Sequence, residues 1–242
     1  MDNLTHSLVG LFLARAGFRH ATPRGPAILI LAANAPDLDV LSALGGAAEY
    51  IRWHRHLSHS LLAIPVMALI AVALVRLIGR KPVKWVPALG IAVLGVASHL
   101  LLDLTNVYGV RLLLPFSGHW FHWDLTQVID PWIWGLLLLG IVAPALGRLV
   151  GSEIGENRPG AGNTGWAVTA LLLVFSYDYG RSVLHEKAVA QVDAHRYAGL
   201  TPRRAGAFPK FNPLQWSGVA ELSTSYVMTP VNLIEGFHLN DA

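Results

Sequence analysis

The chain has 242 residues, 53% hydrophobic and only 14% charged, with mean hydropathy +0.47. Soluble domains carry about 25% charged residues, so an ordinary soluble domain is excluded and a membrane protein is expected. Net charge is +3 without a Lys/Arg run, which argues against a nucleic-acid partner, and the lack of cysteine excludes disulfides and thiolate metal sites, leaving His, Asp and Glu as strong ligands.

Leu4 to Phe18 is apolar but short. As a helix it spans about 22 Å, less than the ~30 Å hydrocarbon core. The first basic residue, Arg15, follows this stretch rather than preceding it, so the segment is expected to belong to the mature protein and not to a cleaved signal. Pro23 and Pro26 break the helix. Ala27 to Ala35 is a second short apolar piece, ending at Asn34-Ala35-Pro36-Asp37-Leu38-Asp39, where Pro36 favours a turn. The two pieces are expected to form a hairpin of short helices.

Ser60 to Ile78 is a transmembrane candidate. Trp53-His54-Arg55-His56-Leu57-Ser58-His59 precedes it, with Ser58 as a candidate N-cap, and the basic turn Gly79-Arg80-Lys81-Pro82-Val83-Lys84 follows. Trp85 to Leu104 returns across the membrane. Thr105 to Asp130 is a polar and aromatic loop, and Pro131 to Val150 crosses again, with Pro131 suited to a first helical turn. Residues 151–165 form a Gly/Asn/Glu-rich connector. Trp166 to Arg181 is the last expected span. Beyond it, His185 to Tyr197 suggests an amphipathic helix and Phe208 to Leu233 two or three short strands. The expected fold is therefore an all-α membrane protein: a polytopic helical bundle of four clear spans plus the short N-terminal hairpin over residues 1–184, with a small polar α+β extension over 185–242.

Lys and Arg in short turns set orientation. Arg15, Arg19, Arg24, Arg76, Arg80, Lys81, Lys84, Arg148 and Arg158 collect on one face, against Arg52, Arg55 and Arg111 on the other. The first face is expected to be cytoplasmic. The same zigzag sends His6, Asp37, Asp39, His54, His59, His99, Asp103, Asp124 and Asp130 to the outer face.

His99 and Asp103 are spaced i, i+4, so a helix puts both on one side, one turn apart. A carboxylate at a membrane-helix centre costs about 2.5–3.5 kcal/mol on insertion scales, and less near the interface. A shared divalent metal would offset that cost. Asp37 and Asp39 flank Leu38, where an Asx turn capping the next helix is the simpler alternative. His54, His56 and His59 crowd the start of a membrane helix, His6 stands alone beside Thr5, and Asp124 and Asp130 could instead cap the helix opened by Pro131. His119 and His122 flank Trp120 and Phe121 in a loop suited to the interface. Asp178, Arg181 and His185 suit a plain ion pair, while His20 is expected to be solvated on the basic face and His195 and His238 lie in the tail. Mixed imidazole and carboxylate donors favour Zn2+, with Mn2+ or Fe2+ as alternatives, and a surplus beyond four donors would permit a two-metal site. No Gly-x-Ser-x-Gly elbow or Walker-type glycine loop competes.

Four motifs carry a family resemblance: Thr5-His6-Ser7-Leu8-Val9-Gly10, Ala35-Pro36-Asp37-Leu38-Asp39, His54-Arg55-His56-Leu57-Ser58-His59-Ser60, and Ser98-His99-Leu100-Leu101-Leu102-Asp103 followed by Tyr108-Gly109-Val110 and Leu114-Pro115-Phe116-Ser117. Over roughly residues 1–135 the chain resembles the YdjM family, inner-membrane proteins described as metal-dependent hydrolases. Asn212-Pro213-Leu214-Gln215-Trp216 is similar to the tail of its longer members. The resemblance implies His6, Asp37, Asp39, His54, His59, His99 and Asp103 as motif positions, with Asp124 and Asp130 weaker. The chain departs from the pattern at His56 and Ser58, where Gly and Thr are expected. The donor set also looks like that of zinc-dependent phospholipase C and related nucleases, by analogy only.

The expectation is a metal-dependent hydrolase embedded in the inner membrane and acting on a phosphoester or lipid-type substrate. Its metal is held by His6, Asp39, His54, His59, His99 and Asp103, with His56, Asp124 and Asp130 as additional candidates, and Asp37 or Asp39 acts as general base. The alternatives are a divalent-cation binding or transport protein and a scaffold stapled by its metal.

Overall fold

A computed structural model describes residues 1–79, 82–153 and 163–235. Arg80 and Lys81, the middle of the 151–165 connector with Arg158, and His238 lie outside the described residues. Helix α1 spans Asn3–Arg15. Asp2 starts it, its carboxylate accepting the Leu4 and Thr5 N–H groups at 3.0 Å each, so two of the orphan donors of the first turn are satisfied. Helix α2 covers Gly25–Ala32 with Pro at its N-terminus. A 3-10 segment, Ala35–Gly45, follows at 50° to α2. The expected hairpin is thus present, but its second arm is broken, and the pair α2 plus 35–45 is together apolar enough to count as a bent span.

The short helix α3, Ala47–Trp53, leads into the histidine-rich stretch. Three spans follow: Leu61–Gly79, containing α4 (Ile64–Gly79); α5, Trp85–Thr105; and α6, Pro131–Glu153. Ser60, rather than Ser58, caps the first of these, its hydroxyl accepting the Ala63 N–H at 3.2 Å. The fourth expected span, 166–181, is the first half of α7, Asn163–Ala194, which is not among the three helices long and apolar enough to cross. Asp178 and Arg181 in its middle account for that. Helix α7 continues unbroken through the region where a separate amphipathic helix was expected. The polytopic helical architecture is therefore present: among the described residues three helices are long and apolar enough to cross a membrane, or up to four if the bent pair is one span.

Bilayer lipid is as apolar as leucine, so membrane helices associate through close packing of small residues. That is the pattern here. Ala68, Ala71, Ala88, Ala92 and Ala32 fill the seam between α2, α4 and α5. A Cβ on Gly95 would sit 2.8 Å from the Ala32 Cβ and 3.1 Å from the Leu29 carbonyl oxygen. A second cluster packs α1 on α6 and α7 around the fully buried Phe12, whose ring lies 2.9 Å from where a Gly140 Cβ would be.

Three strands form an antiparallel sheet in the order β1 (Arg204–Pro209), β2 (Gln215–Glu221), β3 (Tyr226–Asn232), as the 208–233 alternation suggests. Trp216, Ala207, Ala220 and Val231 pack from the sheet onto Ala188 and Val192 of α7. Arg181 ties these parts together. Its Nε donates to the Leu125 carbonyl at 2.7 Å and its guanidinium to the Pro213 carbonyl at 2.6 Å. Among the described residues Asp178 and Arg181, expected as an ion pair, attract one another without a direct salt-bridge contact.

Candidate metal centre

Side chains from four separate segments meet beside α5. His99 and Asp103 project from one face of α5, as their spacing requires. His6 comes from α1, Asp37 from the 3-10 segment, and His59 from the turn before the first span. His6, His59, His99 and Asp103 are fully buried, and the side chain of Asp37 is 17% exposed.

Each imidazole is aimed by what its far nitrogen touches. The break after α2 leaves the Ala33 carbonyl free of an intrahelical partner. His99 Nδ1 lies 2.7 Å from that oxygen, which makes Nδ1 the donor and leaves Nε2 with a lone pair facing inward. His59 Nδ1 lies 2.9 Å from Ser58 Oγ and 3.3 Å from Asp39 Oδ2, so its Nε2 faces inward too. The two Nε2 atoms are 3.2 Å apart. Asp37 Oδ1 is 3.5 Å from His59 Nε2 and 3.6 Å from His99 Nε2. Asp103 Oδ2 stands at the same 3.5 and 3.6 Å. Donors on a metal with tetrahedral bonds of 2.0–2.1 Å lie about 3.3–3.4 Å apart, close to these five separations, with Asp37 and Asp103 on the two sides of the His59–His99 pair and in different donor groups.

The donor chemistry fits a cation. With both imidazoles neutral, two acceptor nitrogens point at one another, a costly arrangement in a buried site that a cation between them, metal or proton, relieves. Asp103 Oδ2 and both ring nitrogens of His6 are buried without a hydrogen-bond partner. His6 stacks on His99 with ring centroids 3.8 Å apart, and its Nε2 lies 3.5 Å from Asp103 Oδ1. His6, Asp37 and His99 form one group that could hold an ion, and His59, His99 and Asp103 another. Burial opposes charging of His59, yet Asp37 and Asp39 outweigh it and hold that imidazole above its ordinary value; the position attracts positive charge.

The supporting shell is polar throughout, as metal sites require. Asp39 accepts from the Arg55 N–H at 2.8 Å and from Ser58 Oγ at 3.0 Å, and His54 Nδ1 lies 3.1 Å from its other oxygen. All of its acceptor capacity points to neighbours, so Asp39 and His54 sit behind His59. Arg55 reaches the other side: its guanidinium lies 3.3 Å from Asp103 Oδ2 and donates to Asn106 Oδ1 at 3.1 Å and the Gly109 carbonyl at 2.9 Å. Asn106 in turn donates to Asp103 Oδ1 at 3.1 Å. Asn3 donates to Asp37 Oδ2 at 2.9 Å. The amino group of Met1 is buried against Asp103. Three carboxylates thus face one guanidinium and one ammonium, a net negative charge.

The remaining candidates lie elsewhere. His56 packs edge-on against Trp53. Asp130 is a helix cap, accepting the Trp132 N–H at 3.0 Å, and also receives the Tyr177 hydroxyl. Asp124 pairs with His122 at 2.8 Å, and burial raises its carboxyl against that histidine's opposing pull. Sequence reasoning did not single out Asn3, Arg55 or Asn106 as functional. Arg55 counted only as an outer-face charge. For Asn106, the available signal was its place three residues after Asp103, one helical turn on.

A family model described as YdjM inner membrane protein matches residues 1–184. The chain belongs to the YdjM family. The matched stretch contains every donor of the cluster, and family and apolar helices together make this an integral inner-membrane protein. The uncharacterized protein YfhP of Bacillus subtilis (strain 168) is 31% identical over 144 residues, covering 55% of this chain and 43% of YfhP. The match thus spans less than half the length of this curated relative. No solved structure matches it significantly.

Proposed function

We propose that this YdjM-family chain is a membrane-embedded metal-dependent hydrolase of phosphoester or lipid-type substrates. The observation that carries the reading is the convergence of the His59 and His99 Nε2 atoms, 3.2 Å apart, with Asp37 Oδ1 and Asp103 Oδ2. His59, His99 and Asp103 would hold the ion, with His6 beside Asp103 as a further donor and Asp37 Oδ1 left free to accept a proton. The mixed nitrogen and oxygen set suits Zn2+ best. Bound there, a divalent metal polarises a substrate oxygen and lowers the pKa of water.

The protein's own groups supply the rest. Asp39 and the Ala33 carbonyl keep the two imidazoles in the tautomer that exposes Nε2. Asp37 is the better general base of the two acids: one of its oxygens is held by Asn3, it is partly open to solvent, and it takes the proton of an attacking water. Asp39 has its acceptors filled and serves to orient His59. Asp103 offers Oδ2 toward His59 and His99 and Oδ1 toward His6, as a bridging carboxylate of a two-metal site would. A lipid-borne substrate is favoured by the apolar rim beside the acids: Leu41, Leu44 and Ile51 are exposed, Leu44 by 90%, and face the bilayer in this reading. The excess of Lys and Arg at the opposite end supports an outward-facing centre.

The test is bound metal and headgroup release from mixed phospholipids, measured on purified protein. Stoichiometric metal and release in wild type, with both lost in Asp103→Ala, are expected. A metal-free protein of full native stability overturns the reading. Transport is the second reading, favoured by the acids' position on a broken helix; metal flux into proteoliposomes without ester cleavage would establish it instead.

A further inference from the structure

His99 and Asp103 occupy one face of α5. Leu101 and Thr105, two residues on from each, lie about 200° around the helix. On that far side a cavity of about 590 Å3 opens between α5, the loop around Trp123 and α7. It is separate from the metal centre and plays no part in the proposed chemistry.

The α7 wall of the cavity is graded. Phe175, Asp178, Ser182 and Glu186 line it at spacings of three, four and four residues, one stripe of the helix. The stripe runs about 16 Å from hydrocarbon to acid. Leu101 faces Phe175's end, and both are lipid-accessible. No Lys or Arg lines the cavity; of the two histidines that do, His122 pairs with Asp124 and His185 packs against Trp216, while the nearby Arg181 donates to two backbone carbonyls. Asp178 Oδ1 is buried without a hydrogen-bond partner. A cavity with an apolar end, an acidic end and an unfilled buried acceptor matches an amphiphile whose polar end is a cation that donates hydrogen bonds.

A metal ion is the poorer match. Among the described residues, the groups of three donors within 4.8 Å of one another lie at the α5 centre and include none of these side chains. A quaternary ammonium has no N–H for Asp178. We infer that this cavity binds a membrane lipid with a primary-ammonium headgroup. The ammonium donates to Asp178 with the Trp123 ring beside it, Glu186 about 12 Å further along α7 adds only longer-range attraction, and the hydrocarbon lies along Leu101 and Phe175.

Native mass spectrometry of the full-length protein, with phosphatidylethanolamine, phosphatidylcholine or phosphatidylglycerol of one acyl composition added, tests this. Phosphatidylethanolamine should be retained about tenfold better than either competitor, the size of one charge-assisted hydrogen bond. Asp178→Asn should remove that preference and Glu186→Gln, at the exposed position, should reduce it, each leaving phosphatidylglycerol retention and bound metal unchanged. Glu186→Gln keeps the test valid should Asp178→Asn fail to fold. Equal retention of all three lipids overturns the assignment, as does phosphatidylcholine matching phosphatidylethanolamine, or a preference that survives both substitutions.

Discussion

Asp103 is the residue on which the centre turns. It touches His59, His99, His6, Arg55, Asn106 and the Met1 amino group. Asp39 differs in kind, because it contacts the ion's holders and not the ion's place. Asp39→Asn should therefore weaken metal binding by about 10–100-fold without abolishing it, measured by competition with a chromogenic chelator, whereas Asp103→Ala abolishes it. Arg55→Lys should lower stability by about 1.5–3 kcal/mol, because a point-charged ammonium cannot span Asn106, Gly109 and Asp103 as the planar fork does; thermal unfolding in detergent measures it. His99 and Asp103 are legible in the sequence because i, i+4 geometry is local. The division of labour between Asp37 and Asp39 is not, since two acids two residues apart look alike until the backbone turn assigns each a direction. Arg55 and Asn106 stay hidden for a similar reason: nothing in a lone Arg or Asn announces which carboxylate it will meet.

At the level of elements, the break between α2 and the 35–45 segment does two jobs. It frees the Ala33 carbonyl for His99 and swings Asp37 across the face of His59. Its position depends on close approach of α2 to α5 at Gly95. Gly95→Val should push α2 outward, lowering both the unfolding midpoint and metal occupancy, although residue 95 touches no donor; elemental analysis beside a melting curve reads both. Retained metal with a lowered midpoint would mean that the α2–α5 seam serves stability alone. The long apolar runs make three spans legible, and the alternation in 208–233 makes the strands legible. Helix α7 is not legible as one helix. Asp178 and Arg181 look like the end of a membrane segment, yet the sheet and the 122–125 loop pack there and give the arginine its partners.

For the whole molecule, the centre joins α1, the broken pair and α5, so metal and fold are linked by mass action. A cation that binds only the folded state should add about 2.7 kcal/mol when present at 100 times its Kd. The unfolding midpoint should accordingly rise with Zn2+ and fall with chelator in wild type, and respond to neither in Asp103→Ala. A wild-type midpoint indifferent to both would remove the metal from the account of this fold.

All the inward-facing donors, from His6 to Asp103, come from the first 105 residues, while α6, α7 and the sheet contribute none. A chain emerging from the ribosome delivers its amino-terminal part first. On the proposed reading the ion is captured while the carboxy-terminal half is still being made, before α6 and α7 pack on α1 through Phe12 and seal in a cargo acquired during birth.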